Sequence, residues 1–254
     1  MDSSTPTFEF LGPAHLTAIM ATAVVPFALS PLGRRSARVD GAIRITLAVI
    51  LTLNFIGYGV RASLSGAVQW QQTLPFQLCD WTMILVIAAL LYIGRPSSAS
   101  PDGPDRTVRG HRLVEVAYFW GIGGSLQAVI TPNLSFGYPD YRFFTFFIDH
   151  CGIVIAICYL MLTRRVRPYP MSIWRTWMWS MVYLAITLVI DQLTGVNYGF
   201  LLHKPEAFSI LSYLSDSRAV YILQLNLLAL MFFAVLYAPF AIHDCIRSRR
   251  GRLI

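Results

Sequence analysis

Cys79 and His150 are the two side chains of this chain best suited to act together. A thiolate is a competent nucleophile, and an imidazole beside it can take up the thiol proton. Cys79 stands in Gln77-Leu78-Cys79-Asp80, and His150 in Asp149-His150-Cys151. A third group orients the imidazole in such an arrangement, and Asp149, Asp191 and Asp80 are the carboxylates available for it. Asp149 adjoins His150 and points about 100° away from it on a helix, which weakens it as the orienting group. Gln77 or Gln127 could donate to an oxyanion.

Metals use the same residue types. His15, His150, Asp149, Asp191 and Cys79 make up a zinc-like set, but no two share a helix at the i, i+4 spacing of His-Glu-x-x-His. The expectation is a site with no metal and no cofactor. A Cys79–Cys151 disulfide is disfavoured, because Cys151 lies about 6–9 Å deeper by the helical rise. Gly121-Ile122-Gly123-Gly124-Ser125 is not a nucleotide fingerprint, since no strand precedes it and its surroundings are apolar. Its small residues permit close helix–helix approach, and the Gly123-Gly124 pair loosens the helix near Gln127.

The elements that must position these groups follow from composition. Of 254 residues, 56% are hydrophobic and 13% charged, about half the charge of a soluble domain. So few charges cannot coat a water-soluble surface, which excludes a soluble enzyme, a disordered chain and a disulfide-rich secreted module. The reading is an all-α polytopic membrane protein, one integral helical-bundle domain over residues 1–254. The net charge of +7 does not point to nucleic acid. Nineteen of the twenty basic residues are Arg, and most sit in short clusters between apolar runs. No nucleic-acid partner is expected.

A helix needs about 20 apolar residues to cross a bilayer. Seven stretches qualify: 10–32, 42–61, 76–94, 112–130, 143–163, 173–194 and 219–242. The loops after spans one, three and five and the tail hold Arg34, Arg35, Arg38 and Arg44, then Arg95, Arg106, Arg109 and Arg112. They continue with Arg164, Arg165, Arg167 and Arg175, then Arg247, Arg249, Arg250 and Arg252. Only Arg61, Arg142, Lys204 and Arg218 fall on the other side. By the positive-inside rule the N-terminus is outside and the C-terminus cytoplasmic. Met1–Glu9 has no basic region and is not expected to act as a cleaved leader. Trp174, Trp177 and Trp179 beside Arg175 read as an interfacial anchor.

Ionisable groups inside apolar spans are costly and therefore functional candidates. His15, Gln77, Cys79, Asp80, Gln127, Asp149, His150, Asp191 and Gln192 all fall in the outer half of the bundle. The inner half contributes little beyond Glu115, expected to pair with Arg109 or Arg112. This one-sided convergence predicts an outward-facing pocket. The leading use is acyl chemistry on a lipid through a Cys79 thioester with His150 as base. The rival is a transporter or ligand-binding protein that uses the same His, Asp and Cys groups. A structural role in the envelope, with the pocket merely holding lipid, is a third.

Four ordered motifs carry a resemblance. They are Leu74-Pro75-Phe76-Gln77-Leu78-Cys79-Asp80, Tyr118-Phe119-Trp120-Gly121 through Gln127-Ala128 to Thr131-Pro132, Tyr141-Arg142-Phe143 through Asp149-His150, and Asn197-Tyr198 with Lys204-Pro205. With His15 they resemble the bacterial YwaF-type integral membrane proteins. That family is similar to a eukaryotic transmembrane family with a cysteine-dependent phospholipid acyltransferase. The resemblance implies a helical bundle in the bacterial cytoplasmic (inner) membrane, with Cys79 as nucleophile, His150 as base and a membrane lipid as partner. It places Gln127, Arg142, Asn197 and Lys204 at motif positions, and with His15, Gln77 and Asp80 they are the expected substrate-binding residues. Two departures stand out: Asp149 and Cys151 flank the histidine where a small hydroxyl residue and a glycine are expected, and Ser215-Asp216-Ser217-Arg218 lacks the Gly-Pro-Trp character expected before span seven.

Overall fold

The computed structural model describes residues 6–65, 70–94, 110–164, 166–205 and 210–250, and a helix occupies most of each predicted span. The loop carrying Arg95, Arg106 and Arg109 lies outside the described residues, as do Arg165 and Arg252. Among the described residues six helices are long and apolar enough to cross a membrane: α1 (Pro13–Arg35), α2 (Ala37–Ser65), the compound helix over His111–Ile130, α6 (Tyr141–Arg164), α7 (Pro170–Thr194) and α8 (Arg218–Arg250). The compound helix consists of α4 (His111–Trp120), a π-helical turn (Gly121–Ser125) and α5 (Leu126–Ile130). The third span is shorter than its apolar run. Helix α3 covers Leu78–Tyr92, 15 residues, or about 22 Å against a hydrocarbon core of about 30 Å.

The first compact unit spans Met1–Val166. Helix α6 is its hub, with α1, α2, α3, α4 and α5 all packed on it. The core joins α2, α3 and α6 through Leu51, Met83, Val86, Leu90, Ile153 and Ile157. Two glycines permit the approach. A Cβ on Gly152 would meet Leu51 Cδ2 at 2.8 Å, and one on Gly121 would run into Ile157 Cδ1. Pro31 inside α1 frees the Phe27 carbonyl, and the Ser30 hydroxyl donates to it at 3.5 Å, the local repair that lets proline sit in an apolar helix. Along α1 the outward residues Leu16, Met20, Val24 and Phe27 are exposed, an apolar surface of the kind that lipid tails cover.

The second unit spans Arg167–Ile254 and pairs α7 with α8. Helix α7 starts at Pro170, where a missing N–H costs nothing, and Tyr169 N–H donates to Ser172 Oγ at 2.9 Å. It stops at Gly195, whose φ of 72° is the left-handed conformation glycine adopts without a Cβ penalty. Arg167 donates both terminal nitrogens to the Asp244 carboxylate at 2.7 and 2.9 Å, clamping the start of α7 to the last part of α8.

Candidate functional site

Cys79 occupies the first turn of α3, which starts where it does because Gln77 and Asp80 form a capping box. The Gln77 N–H donates to Asp80 Oδ2 at 2.9 Å. Cys79 therefore stands at the N-terminal end of a helix. His150 lies in the third turn of α6, its ring stacked on Phe146 with centroids 4.3 Å apart. One ligating atom each from Cys79, Asp149 and His150 fall within 4.8 Å of one another. The first turn of α3 and the third turn of α6 thus bring a thiol, an imidazole and a carboxylate together.

The imidazole has a defined proton. His150 Nδ1 is 2.8 Å from the Phe146 carbonyl oxygen one turn earlier. A carbonyl only accepts, so Nδ1 carries the hydrogen and Nε2 keeps its lone pair. This is the tautomer a general base needs, and here a backbone carbonyl sets it. Asp149 is nevertheless close: its Oδ2 lies 3.8 Å from His150 Nδ1, and both side chains are nearly buried, 15% and 12% exposed. The 100° between neighbours on the helix leaves both within reach of α3. Asp149 Oδ1 is buried with no hydrogen-bond partner. All four cysteines are free thiols, and buried Cys151 points elsewhere, with its sulfur 3.8 Å from the Ala18 carbonyl on α1.

The other expected site residues fall into two groups. His15 is fully committed: Leu11 N–H donates to its Nδ1 at 3.0 Å, and its Nε2 donates to the Val129 carbonyl at 2.8 Å. It is buried beneath Phe8, Phe10 and Phe147, and pins α1 to α5. Gln77 and Asp80 cap α3. Gln127 is exposed and donates to Thr131 Oγ1 at 2.6 Å on its own helix. Arg142 makes a two-pronged bond to Asp140 at 2.9 and 2.8 Å and lies over the Phe136 ring at 3.1 Å. These, like the trio, belong to the end of the first unit where α1, α3 and α6 begin.

Asp191, Asn197 and Lys204 lie in the second unit. Asp191 Oδ1 accepts from Tyr198 N–H at 2.9 Å just beyond α7, and its Oδ2 is buried without a partner. Asn197 organises the following loop, accepting from Leu202 N–H at 2.8 Å and donating to the His203 carbonyl at 2.8 Å. Lys204 reaches Asp216 at 2.8 Å.

The expectation of a nearly apolar inner half does not survive. At the opposite end of the first unit, buried Asp40 accepts from Tyr159 OH at 2.9 Å, from Arg44 Nε at 3.3 Å and from Arg164. Arg44 also donates to the Leu90 carbonyl. The cause is that α2 begins at Ala37, after Ser36 alone, so Asp40 is helical rather than part of a loop. Glu115 is buried 3.4 Å from His111 Nδ1, and Arg109, one of its expected partners, lies outside the described residues.

Two carboxyls outside the membrane-spanning segments are lowered by basic partners. The hydrogen bonds from Arg142 hold the Asp140 carboxyl at about 2. Lys204 likewise lowers Asp216, through its hydrogen bond and charge.

Apolar helices long enough to cross a membrane define a multi-pass membrane protein, and a Cys–Asp–His cluster lies at one end of its first unit. Residues 10–237 match the TMEM164 family, and the chain belongs to it. No curated protein and no solved structure matches the chain.

Proposed function

We propose that the protein is a membrane-embedded acyltransferase or hydrolase that works on lipid acyl chains through a Cys79 thioester. The observation that carries this is the gathering of Cys79, His150 and Asp149 within 4.8 Å, with Nε2 of His150 left as the proton acceptor. Membership of the TMEM164 family supports it, as does the similarity of the motifs to a cysteine-dependent phospholipid acyltransferase family. We place the chain with the bacterial YwaF-type members, in the cytoplasmic membrane with its N-terminus outside.

In the reaction, His150 Nε2 takes the Cys79 proton, and the sulfur attacks the ester carbonyl of a membrane lipid. The N–H groups of the first turn of α3, at the positive end of the helix dipole, favour the negative charge on sulfur. Collapse of the tetrahedral intermediate breaks the ester C–O bond and leaves the acyl group on sulfur. The departing alkoxide takes the proton from the imidazolium. An acceptor hydroxyl or water then attacks the thioester, with His150 again taking the proton, and the thiol is restored. Asp149 beside the ring stabilises the imidazolium in both halves.

Intact mass spectrometry after incubation with labelled native lipids tests this reading. The expected result is a hydroxylamine-sensitive acyl adduct that Cys79→Ala and His150→Ala abolish and Cys245→Ala keeps. An adduct that survives Cys79→Ala, or none under turnover or trapping conditions, rejects the thioester.

A further inference from the structure

The buried Asp149 carboxylate has one oxygen without a partner, although a thiol and an imidazole lie within 4.8 Å of it. A carboxylate oxygen in such surroundings calls for a proton, a donor or a cation. The three residue types are the sulfur, nitrogen and oxygen ligands of zinc, and three protein ligands with one open position is the pattern of accessible zinc sites. Charge agrees as well. A Cys79 thiolate, an Asp149 carboxylate and a neutral His150 neutralise a divalent cation completely, which an apolar interior demands of a buried ion.

The support that a ligating histidine needs is already present. Metal-bound histidines hold their other ring nitrogen through a carbonyl or carboxylate, and the Phe146 carbonyl holds His150 Nδ1 at 2.8 Å. Nε2 is then the ligating nitrogen. In a tetrahedral zinc site the ligand atoms lie about 3.3–3.7 Å apart, from metal–ligand bonds of about 2.0–2.3 Å. One ligand atom from each of the three side chains lies within 4.8 Å of the other two, and the site requires side-chain rotation that brings Nε2, the sulfur and the carboxylate to that closer spacing. The carboxylate and imidazole are 15% and 12% exposed.

We infer that Cys79, Asp149 and His150 form a site for a thiophilic divalent cation, zinc above all, and that its occupation switches the nucleophile off reversibly. Binding displaces the Cys79 thiol proton to water and forms bonds to sulfur, to Nε2 and to the carboxylate. Both the electron pair that would attack an acyl group and the one that would accept its proton are then occupied. The binding half stands on the geometry alone, whereas the switching half rests on the thioester reading above.

The test is titration of the purified full chain in detergent with Co2+, a spectroscopic stand-in for Zn2+, alongside acyl-adduct formation with and without added Zn2+. The expected result is stoichiometric Co2+ binding with a thiolate-to-metal charge-transfer band that Zn2+ bleaches. Cys79→Ser removes that band and Cys245→Ser keeps it. Asp149→Asn, close in shape, loosens Co2+ by about tenfold or more, and it carries the test should Cys79→Ser not fold. Absence of the band in the natural chain, its survival in Cys79→Ser, or unchanged affinity in Asp149→Asn overturns the site. A band with no acyl adduct in metal-free protein leaves the cation site standing and rejects the thioester. An adduct that Zn2+ does not suppress overturns the switch.

Discussion

His150 Nδ1 is held by the carbonyl of Phe146, 2.8 Å away and one helical turn earlier, while the Asp149 carboxylate stands off at 3.8 Å. In a triad whose carboxylate alone sets the tautomer, converting that carboxylate to an amide costs about 10⁴ in rate. Here the carbonyl retains the tautomer whatever residue 149 is. Asp149→Asn is therefore expected to slow acyl-adduct formation by about tenfold, the loss of a nearby charge. His150→Ala is expected to slow it by about 10²–10⁴, as removal of a general base does. Single-turnover rates of the two variants measure the difference, and equal losses would return the orienting role to Asp149.

The buried carboxylate at the other end of the first unit gives a stability prediction. Asp40 accepts from Tyr159, Arg44 and Arg164, and Asp40 and Arg164 are each only 3% exposed at the side chain. Removing one partner of a buried ion pair strands the other, at a cost of about 3–5 kcal/mol. Asp40→Ala is expected to fall in that range in denaturant unfolding in detergent. Tyr159→Phe loses one neutral-to-charged hydrogen bond and is expected to cost about 1.5–3 kcal/mol. A loss under about 1 kcal/mol for Asp40→Ala would mean that water reaches this cluster.

Legibility in the sequence differs from group to group. The apolar runs are legible because the bilayer imposes their length, and counting residues inward from the span ends puts Cys79 and His150 in the same half of the bundle, though with the histidine deeper than the 4.8 Å grouping allows. Asp40 is hidden because the Arg-rich segment 34–44 reads as a loop, whereas the observed connection is Ser36 alone. Gln127 lies at the expected end of its span but on an exposed face, and the π-helical turn Gly121–Ser125 before it adds a residue that a regular helical count does not anticipate. The Phe146 carbonyl has no sequence signature, since every residue has one. The commitments of Asn197 and Lys204 are local loop bonds that spacing does not encode.

The Asp140–Arg142 pair before α6 carries a pH signature. Arg142 lowers the Asp140 carboxyl from its ordinary value of 3.8 to about 2. A carboxyl depressed in the folded state binds its proton more readily when the segment unfolds. Its stabilisation is thus complete above about pH 4 and lost as pH falls from there through about 2. Hydrogen exchange at residues 136–142 is expected to accelerate across that window in the natural chain. Asp140→Asn should show faster exchange at neutral pH and no further change across the window. The same acceleration in Asp140→Asn would assign the effect to another group.

The π-helical turn offers a contrast between two glycines three residues apart. A Cβ on Gly121 would enter the side chain of Ile157 and lie 3.2 Å from Ile153 Cγ2 and 3.4 Å from Thr82 Cγ2. Ile157 and Ile153 are fully buried, so they have little room to yield, and overpacking a tight core costs about 1–3 kcal/mol. A Cβ on Gly124 meets nothing within 4 Å. There alanine relieves the entropy glycine loses on folding, a gain of about 0.4–1 kcal/mol. Gly121→Ala is thus expected to lower the unfolding midpoint in detergent, and Gly124→Ala to hold or raise it. Because the residues packed around Gly121 join α6 and α3, the helices that carry His150 and Cys79, Gly121→Ala should also slow acyl-adduct formation. Gly124→Ala should leave that rate unchanged. Equal effects from the two substitutions would mean that the bulge adapts as a unit and that Gly121 does not set the distance between α4 and α6.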